Sequence, residues 1–592
     1  MKSTVVMSAL LWGATALPLA AASTEGERFN EWLATQWQAE LKRSPIQATS
    51  IGDERYNDKF VNFMTAEFRE ESKRLVRTQL SELKKFDRNK LDGQDRLSFD
   101  IYQMNLESAV EGERFPDWMQ PLNQFGSAPA FLAQMGSGKS IQPFRNTKDY
   151  DNWLKRLDSA IAAIDTMIGN MQQGVKNGVV QPKPIMEKVL PQLQALIVED
   201  VEKSVFWGCM QNFPESVSAE DQKRLKKQYK ALLNDKVMPA YRRLLDYVKN
   251  DYLPHTRTST AWSALPDGKA WYAYRVKEMT TTELNPDVIH DIGLKEVARI
   301  RGEMDQVRKQ VKFKGDLHAF FKHLQTAPEF FFEKPEDVLA RYRELQTDIN
   351  ARLPKLFDVF PKADYEIREV EAFRAQSAAG ASYQEPSADG SRPGVFYVNT
   401  YNLKAQPKWG TETLSLHEAS PGHHFQSALS QEVESLPSFR RFGTYYVAYG
   451  EGWALYAESI GKELGLFTDP YQWFGRLNDE QLRAMRLVVD TGLHHKGWSR
   501  EQAIQYMADN SALADTDIVA EVERYIAIPG QALGYKIGQL EMTRLRAEAE
   551  ATLGDKFDVK AFHRVMLLDG PLPMKVLRTK TEEWIAAEKA KN

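Results

Sequence analysis

Three of the 10 histidines in this chain, His417, His423 and His424, fall in the short stretch TETLSLHEASPGHHFQ (Thr411–Gln426). His417 is followed by Glu418, the His-Glu pair that zinc hydrolases use. In such a pair one side chain ligates, and its neighbour, about 100° around a helix, addresses water at the metal. In the common zinc-peptidase motif the second histidine comes four residues after the first, but Pro421 stands there. A regular helix leaves His417 and His423 roughly 120° apart and carries His424 about 10 Å further along the axis. Two nitrogens bound at ~2.0–2.1 Å to one zinc stand only about 3 Å apart. A shared metal therefore requires a local bulge. Pro421-Gly422 can make one, because Pro removes a donor and disfavours helical geometry at Ser420, and Gly accepts unusual dihedrals. The alternative is a helix that simply ends at Ser420, with two exposed histidines opening the next.

A third ligand is available in YGEGWALYAE (Tyr449–Glu458). This segment resembles the Asn-Glu-Gly-Phe-Ala-x-Tyr run of gluzincin metallopeptidases, in which the Glu binds zinc; Glu451 matches it, with Gly450 where that group has Asn. Glu458 lies two turns further along nearly the same helix face, as a partner to a ligand histidine or as a solvated charge. The motifs HEASPGHHFQ, GEGWALYAE, DTGLHHKGW (Asp490–Trp498) and RYIAIPGQALGYK (Arg524–Lys536) together resemble the bacterial domain-of-unknown-function-885 family, which is grouped by likeness with the gluzincin peptidases. The resemblance runs from about Arg28 to the C-terminus and is dense beyond Tyr397. It implies a mostly helical, zinc-peptidase-like fold.

On this reading His417, His423 and Glu451 hold one Zn2+ and leave a fourth position open, as in catalytic sites. His424 is the alternate ligand or a supporting neighbour. His423 is preferred because Gly422-His423 resembles the Gly-His step of many relatives of the short motif. Glu418 is the general base. Donors for a developing oxyanion are sought in His494, His495 and Tyr535, and Arg524 and Lys536 are candidates to grip a substrate carboxylate. The expected activity is zinc-dependent hydrolysis of peptide bonds. Two alternatives stay open: a zinc hydrolase of another amide or ester, such as a cell-wall fragment, and a non-catalytic zinc-binding protein in which Glu418 has no chemical duty.

The elements that must position these residues are mainly helical. Ala66–Phe86, Tyr150–Gln173, Ala219–Lys249 and Asp287–Val311 place apolar residues three and four apart between charges, giving a helical lobe over residues 23–360. After Pro361 the texture changes. YEIREV (Tyr365–Val370) and GVFYVN (Gly394–Asn399) read as strands around the turn-rich Ser387–Pro393, so a small sheet precedes the helix that starts near Thr411. Helices follow at Val447–Leu464, Tyr471–Thr491, Arg500–Asn510, Asp515–Ala527 and Ala532–Leu553, completing a zinc-binding lobe over residues 361–592. The run AQMGSGKS (Ala133–Ser140) matches a loose phosphate-loop pattern, but Gly and Pro precede it where a buried strand belongs.

Composition narrows the classes. With 77 basic and 81 acidic side chains, a net charge of -4 and no long basic run, nucleic acid is a poor partner. The single cysteine, Cys209, excludes an internal disulfide and makes a cysteine zinc site improbable. Residues 1–22 have one early Lys, a short apolar run and an Ala-rich end, which reads as a cleaved secretory signal. Ser23 or Thr24 stands where a lipoprotein needs cysteine. The mature chain is thus expected to be periplasmic or secreted, without a membrane anchor, and to act on peptides.

Overall fold

The computed structural model describes residues 24–371, 375, 378–388, 390 and 392–591; the signal-peptide reading falls outside them. The fold is mainly α, with one three-stranded sheet. Among the described residues no helix is long and apolar enough to cross a membrane.

The first helix, Glu25–Arg43, shows how local signals act. Thr24 and Glu27 form a reciprocal capping box, and Phe29, Leu33, Trp37 and Leu41, four apart, are buried. Asp287–Val311 corresponds to a helix at Pro286–Gln310, which Asn285 caps through the amide of Val288. Two long helical readings prove to be broken. Tyr150–Gln173 comprises Thr147–Ala160 and Ala162–Asn177, divided at Ile161 with no Gly or Pro to announce it. Ala219–Lys249 is interrupted by wide turns at Leu233–Val237 and Val248–Tyr252. Pro239, which lacks an N–H, follows the first of these in the helix Met238–Tyr247. The glycine-rich run near Lys139 ends a helix, Ala128–Gly136, and Gly138 (φ +77°) lies against the backbone of Cys209.

The sheet consists of β1 (Tyr365–Glu369), β2 (Ala381–Gln384) and β3 (Gly394–Val398), in the order β1-β3-β2. β1 runs parallel to β3 with Ile367 opposite Phe396, and β2 runs antiparallel to it with Tyr383 opposite Phe396. The central strand is buried along its whole length, as its unbroken apolar run requires. β2 escapes sequence reading because ASYQ has no apolar alternation and is half-buried throughout.

The site is carried by α1 (Thr411–Glu418), α2 (His423–Glu432), α3 (Val447–Ser459), α4 (Pro470–His494), α5 (Asp515–Ala527) and α6 (Leu533–Leu553). The largest core joins Phe29 and Leu33 to Tyr449, Trp453, Leu577 and Ile585, so both ends of the chain support α3. A second core is built wholly from residues between Met64 and Tyr252. α3 and α6 pack backbone to backbone. A Cβ on Gly452 would stand 2.6 Å from Gly538 Cα, and one on Gly538 would stand 1.8 Å from Ala448 O, so only glycine fits at this crossing. That contact holds the helix turn bearing Glu451.

Candidate metal centre

His417 lies one residue from the end of α1, His423 opens α2 and Glu451 lies in the first half of α3. Their ligating atoms all lie within 4.8 Å of one another. Glu451 Oε2 is 3.2 Å from His423 Nε2 and 3.5 Å from His417 Nε2, against about 3.3 Å for ligand pairs around a tetrahedral zinc with bonds of ~2.0–2.1 Å.

The expected bulge takes the form of a full break. α1 stops at Glu418, the chain turns through Ala419–Gly422 with a cis Ser420-Pro421 bond, and α2 begins at His423. Gly422 is pressed against the end of α1: a Cβ there would lie 2.0 Å from His417 O and 2.3 Å from Leu416 O. Trp453 of α3 donates to Pro421 O at 2.7 Å, tying the turn to the helix that carries Glu451.

Electrostatics support a cation at this point. Glu458 is fully buried, and its Oε1 lies 2.7 Å from His417 Nδ1. This contact leaves Nε2 facing Glu451 and His423. Glu451 Oε2 and Glu458 Oε2 are both buried without a hydrogen-bond partner, so Glu451 is close to two imidazole nitrogens yet aligned with neither. Without a metal, protons must balance these two carboxylates. Burial works against a charge on His417, but the neighbouring carboxylates of Glu451 and Glu458 outweigh it and raise the imidazole pKa to about 9. Burial likewise works against ionised Glu451, yet the charges of His423 and His417 hold it well below the usual carboxylate range. Two imidazoles, a carboxylate with an unpartnered buried oxygen and an open side together fit a divalent metal, and their chemistry suits zinc.

The open side faces a cavity of about 630 Å³ lined by His417, Glu418, His423, Glu451, Arg524 and Tyr535 among others. The Glu418 side chain makes no hydrogen bond among the described residues; it directly follows His417 and lines the cavity. Tyr535 and Arg524 join each other at 3.0 Å on the wall.

Other expected members lie elsewhere. His424 points into the sheet, with Nδ1 2.9 Å from Tyr383 OH and Nε2 3.1 Å from Ala363 O, and burial lowers its pKa to about 4. It is therefore neither a ligand nor a neighbour of one through its ring. His494 is fully buried between the Trp262 amide (3.2 Å) and Tyr525 O (2.9 Å), and cannot reach a substrate oxyanion. His495 sits outside the cavity, paired with Asp287 at 3.0 Å. Lys536 is buried and bound to Glu480 (2.6 Å) and Glu296 (3.0 Å), so its charge is spent inside the protein.

Sequence reading misses several cavity residues. Tyr445 precedes α3, shows 61% of its surface, and brings its hydroxyl to 3.5 Å from Glu451 Oε1. Gly450 makes room for it, since a Cβ there would already stand 3.2 Å from the Tyr445 ring. This accounts for glycine where the gluzincin pattern has Asn. Arg483 and Arg486 of α4 line the same cavity. The one available signal was their spacing, three apart on a helix face.

A model of bacterial proteins of unknown function (DUF885) matches residues 45–580. Two solved proteins, each named a "putative lipoprotein", are similar over nearly their whole lengths. The one from Colwellia psychrerythraea shares 30% identity, with a TM-score of 0.90, 95% of this chain and 100% of that chain covered. The one from Shewanella oneidensis, named as of unknown function, shares 20% identity, with a TM-score of 0.72 and coverage of 94% and 99%, a likeness of fold. No curated protein matches. The chain therefore belongs to the DUF885 family of bacterial proteins.

Proposed function

We propose that this protein is a zinc-dependent peptidase with a gluzincin-like metal site. The observation that carries the reading is the convergence of His417, His423 and Glu451 beside an unpaired Glu418, at the edge of a cavity large enough for a short peptide. Bound at the triad, zinc would supply Lewis acidity, polarising a carbonyl oxygen and acidifying water. Glu418 accepts the proton of the attacking water and returns it to the leaving amine. Glu458 orients His417 through Nδ1. Tyr445 directs its hydroxyl toward the site and is the donor best disposed to meet a developing oxyanion.

A peptide, rather than another amide or ester, is favoured by the sheet. β2 is an edge strand, and Ala381, Ser382 and Tyr383 line the cavity, a setting in which an extended peptide can add as a further strand. Export is proposed from the signal-like first 22 residues, and the lipoprotein names of the two solved relatives favour it.

The test is metal analysis of the purified protein together with a peptide-library digest read by mass spectrometry. About one zinc per chain is expected, with zinc-dependent cleavage. Glu418→Gln should lower turnover by at least ~10²-fold with normal zinc content. Full activity in that variant refutes the role of Glu418, and a metal-loaded protein that cleaves no peptide refutes the peptidase reading.

A further inference from the structure

Within the cavity, the wall formed by α4, α5 and the start of α6 carries three guanidinium groups, those of Arg483, Arg486 and Arg524. Arg486 is fixed by Glu521 Oε2, at 3.1 Å from Nε and 2.8 Å from Nη2, and its guanidinium lies 4.2 Å from the centre of the Tyr535 ring. Arg524 is held from one side, where Nη2 donates to Gln531 Oε1 and Tyr535 OH at 3.0 Å each. Its Nη1 has only a long ion pair with Glu521, at 3.8 Å, and its Nε has no protein acceptor among the described residues. Arg483 Nε and Arg486 Nη1 are buried without any partner among the described residues. Positive charge is thus gathered in a partly buried wall, with hydrogen-bonding capacity unspent.

The acidic groups of the same wall do not all cancel it. Glu521 Oε2 is occupied by Arg486 and by Tyr525 OH at 2.5 Å. Asp479 stands 3.7 Å from Arg483. Asp517 makes no ion pair among the described residues; burial together with the charge of Glu521 raises its carboxyl pKa to about 6, so it stays mostly ionised at neutral pH and gives up its charge only in mild acid. Arg524 is also near enough to Glu451 to respond to its charge. Burial and the neighbouring charge of Arg486 oppose ionisation of Arg524, but Tyr535, Glu521 and Glu451 more than compensate. A fixed arginine with free N–H groups, on the cavity wall and within electrostatic range of the candidate triad, is what a carboxylate requires.

We infer that Arg524, backed by Arg483 and Arg486, receives the C-terminal carboxylate of a peptide whose scissile carbonyl lies at the His417–His423–Glu451 site, so that residues are removed from the C-terminus. The inference rests on the peptidase reading for its cleavage step but not for its binding step, and the experiment separates the two. Metal-free protein is dialysed to equilibrium against mixed-sequence tetrapeptide pools in four forms: C-terminal acid or amide, each with a free or acetylated N-terminus. Retained peptide is measured by mass spectrometry. Acid forms should be retained at least ~10-fold more tightly than amides whatever the N-terminus, since a charge-assisted contact is lost with the amide.

Arg524→Gln should abolish the difference, and Arg524→Lys should restore part of it. Thermal melts report whether either variant is folded, and the acid-amide comparison on the wild-type protein stands without them. With zinc present, products should be truncated from the C-terminus, and amidated pools should resist cleavage. Equal retention of acid and amide overturns the inference, as does a preference for the free N-terminus, which would direct attention to Asp517. Internal cleavage with no acid preference overturns it while leaving the peptidase reading intact. Acid preference without any hydrolysis upholds the carboxylate site and removes the peptidase reading.

Discussion

Glu458 sets which nitrogen His417 would offer to a metal. With Nδ1 donating to a buried carboxylate 2.7 Å away, the imidazole is held in one orientation and Nε2 is left facing Glu451 and His423, free to ligate under the proposed reading. Glu458→Gln keeps the size and an acceptor but removes the charge that makes the ring a better base. Zinc affinity should fall about 10- to 100-fold, read by competition with a chromophoric chelator, with the melting temperature of the zinc-free protein little changed. An unaltered affinity would leave Glu458 a packing residue. The triad itself was legible because histidine is scarce in this chain and Glu451 stands in a distinctive motif. What sequence could not reveal is the direction a polar side chain takes when its partners come from distant segments. His494 is claimed by Trp262 and Tyr525, and Lys536 by Glu480 and Glu296. Tyr445, Arg483 and Arg486 failed in the opposite sense: in a helical, aromatic-rich sequence they resemble core or surface residues until the cavity is seen.

The joint between α1 and α2 shows which part of an element is encoded locally. The sequence announces an interruption at Pro421-Gly422, and the geometry explains why glycine must follow proline: the backbone of His417 occupies the space where a Cβ would go. Gly422→Ala should therefore push the two histidine-bearing helix ends apart. We expect at least a ~10-fold loss of zinc affinity and, by analogy with overpacked cores, about 1–3 kcal/mol of lost stability. Titration calorimetry and denaturant unfolding measure the two; unchanged zinc affinity would mean that the close approach does not govern the site. Gly450→Ala is the informative contrast. Its Cβ meets only the Tyr445 ring, at 3.2 Å, so turnover should suffer while zinc binding persists. Local signals gave Arg500–Asn510 and Asp515–Ala527 with their observed ends: Ser499 and Gln502 form a capping box at the start of the first, and the second buries an apolar face of Ile518, Val522, Tyr525 and Ile526. They could not give β2, whose pairing depends on β3 alone, nor the break at Ile161, where helical geometry changes without a helix-breaking residue.

Over the whole molecule, buried histidines make stability depend on pH from two sides. His494 and His563 are enclosed, and burial lowers their pKa values to about 3 and about 4. Both bind protons more readily when unfolded, at about 6.5. Their contribution is complete above that pH and is lost as the pH falls, toward about 4 for His563 and about 3 for His494, at up to about 1.4 kcal/mol per pH unit for each group. In the zinc-free protein His417 acts in the opposite sense. Its pKa is raised to about 9 by Glu451 and Glu458 against the cost of burial, so its contribution is complete below 6.5 and is lost as the pH rises toward 9. The chelated protein should therefore melt at its highest temperature near pH 6–7 and decline on both sides. Zinc changes only one limb. Once a cation takes the proton's place at the triad, the alkaline decline should flatten while the acid decline set by His494 and His563 remains. His563→Gln, which keeps one donor and one acceptor for Leu356 O and Tyr456 OH, should soften the acid limb alone. Melting temperature against pH, with and without chelator, measures both limbs. An alkaline limb that is the same in the two states would show that the buried carboxylates at His417 are not balanced by a metal.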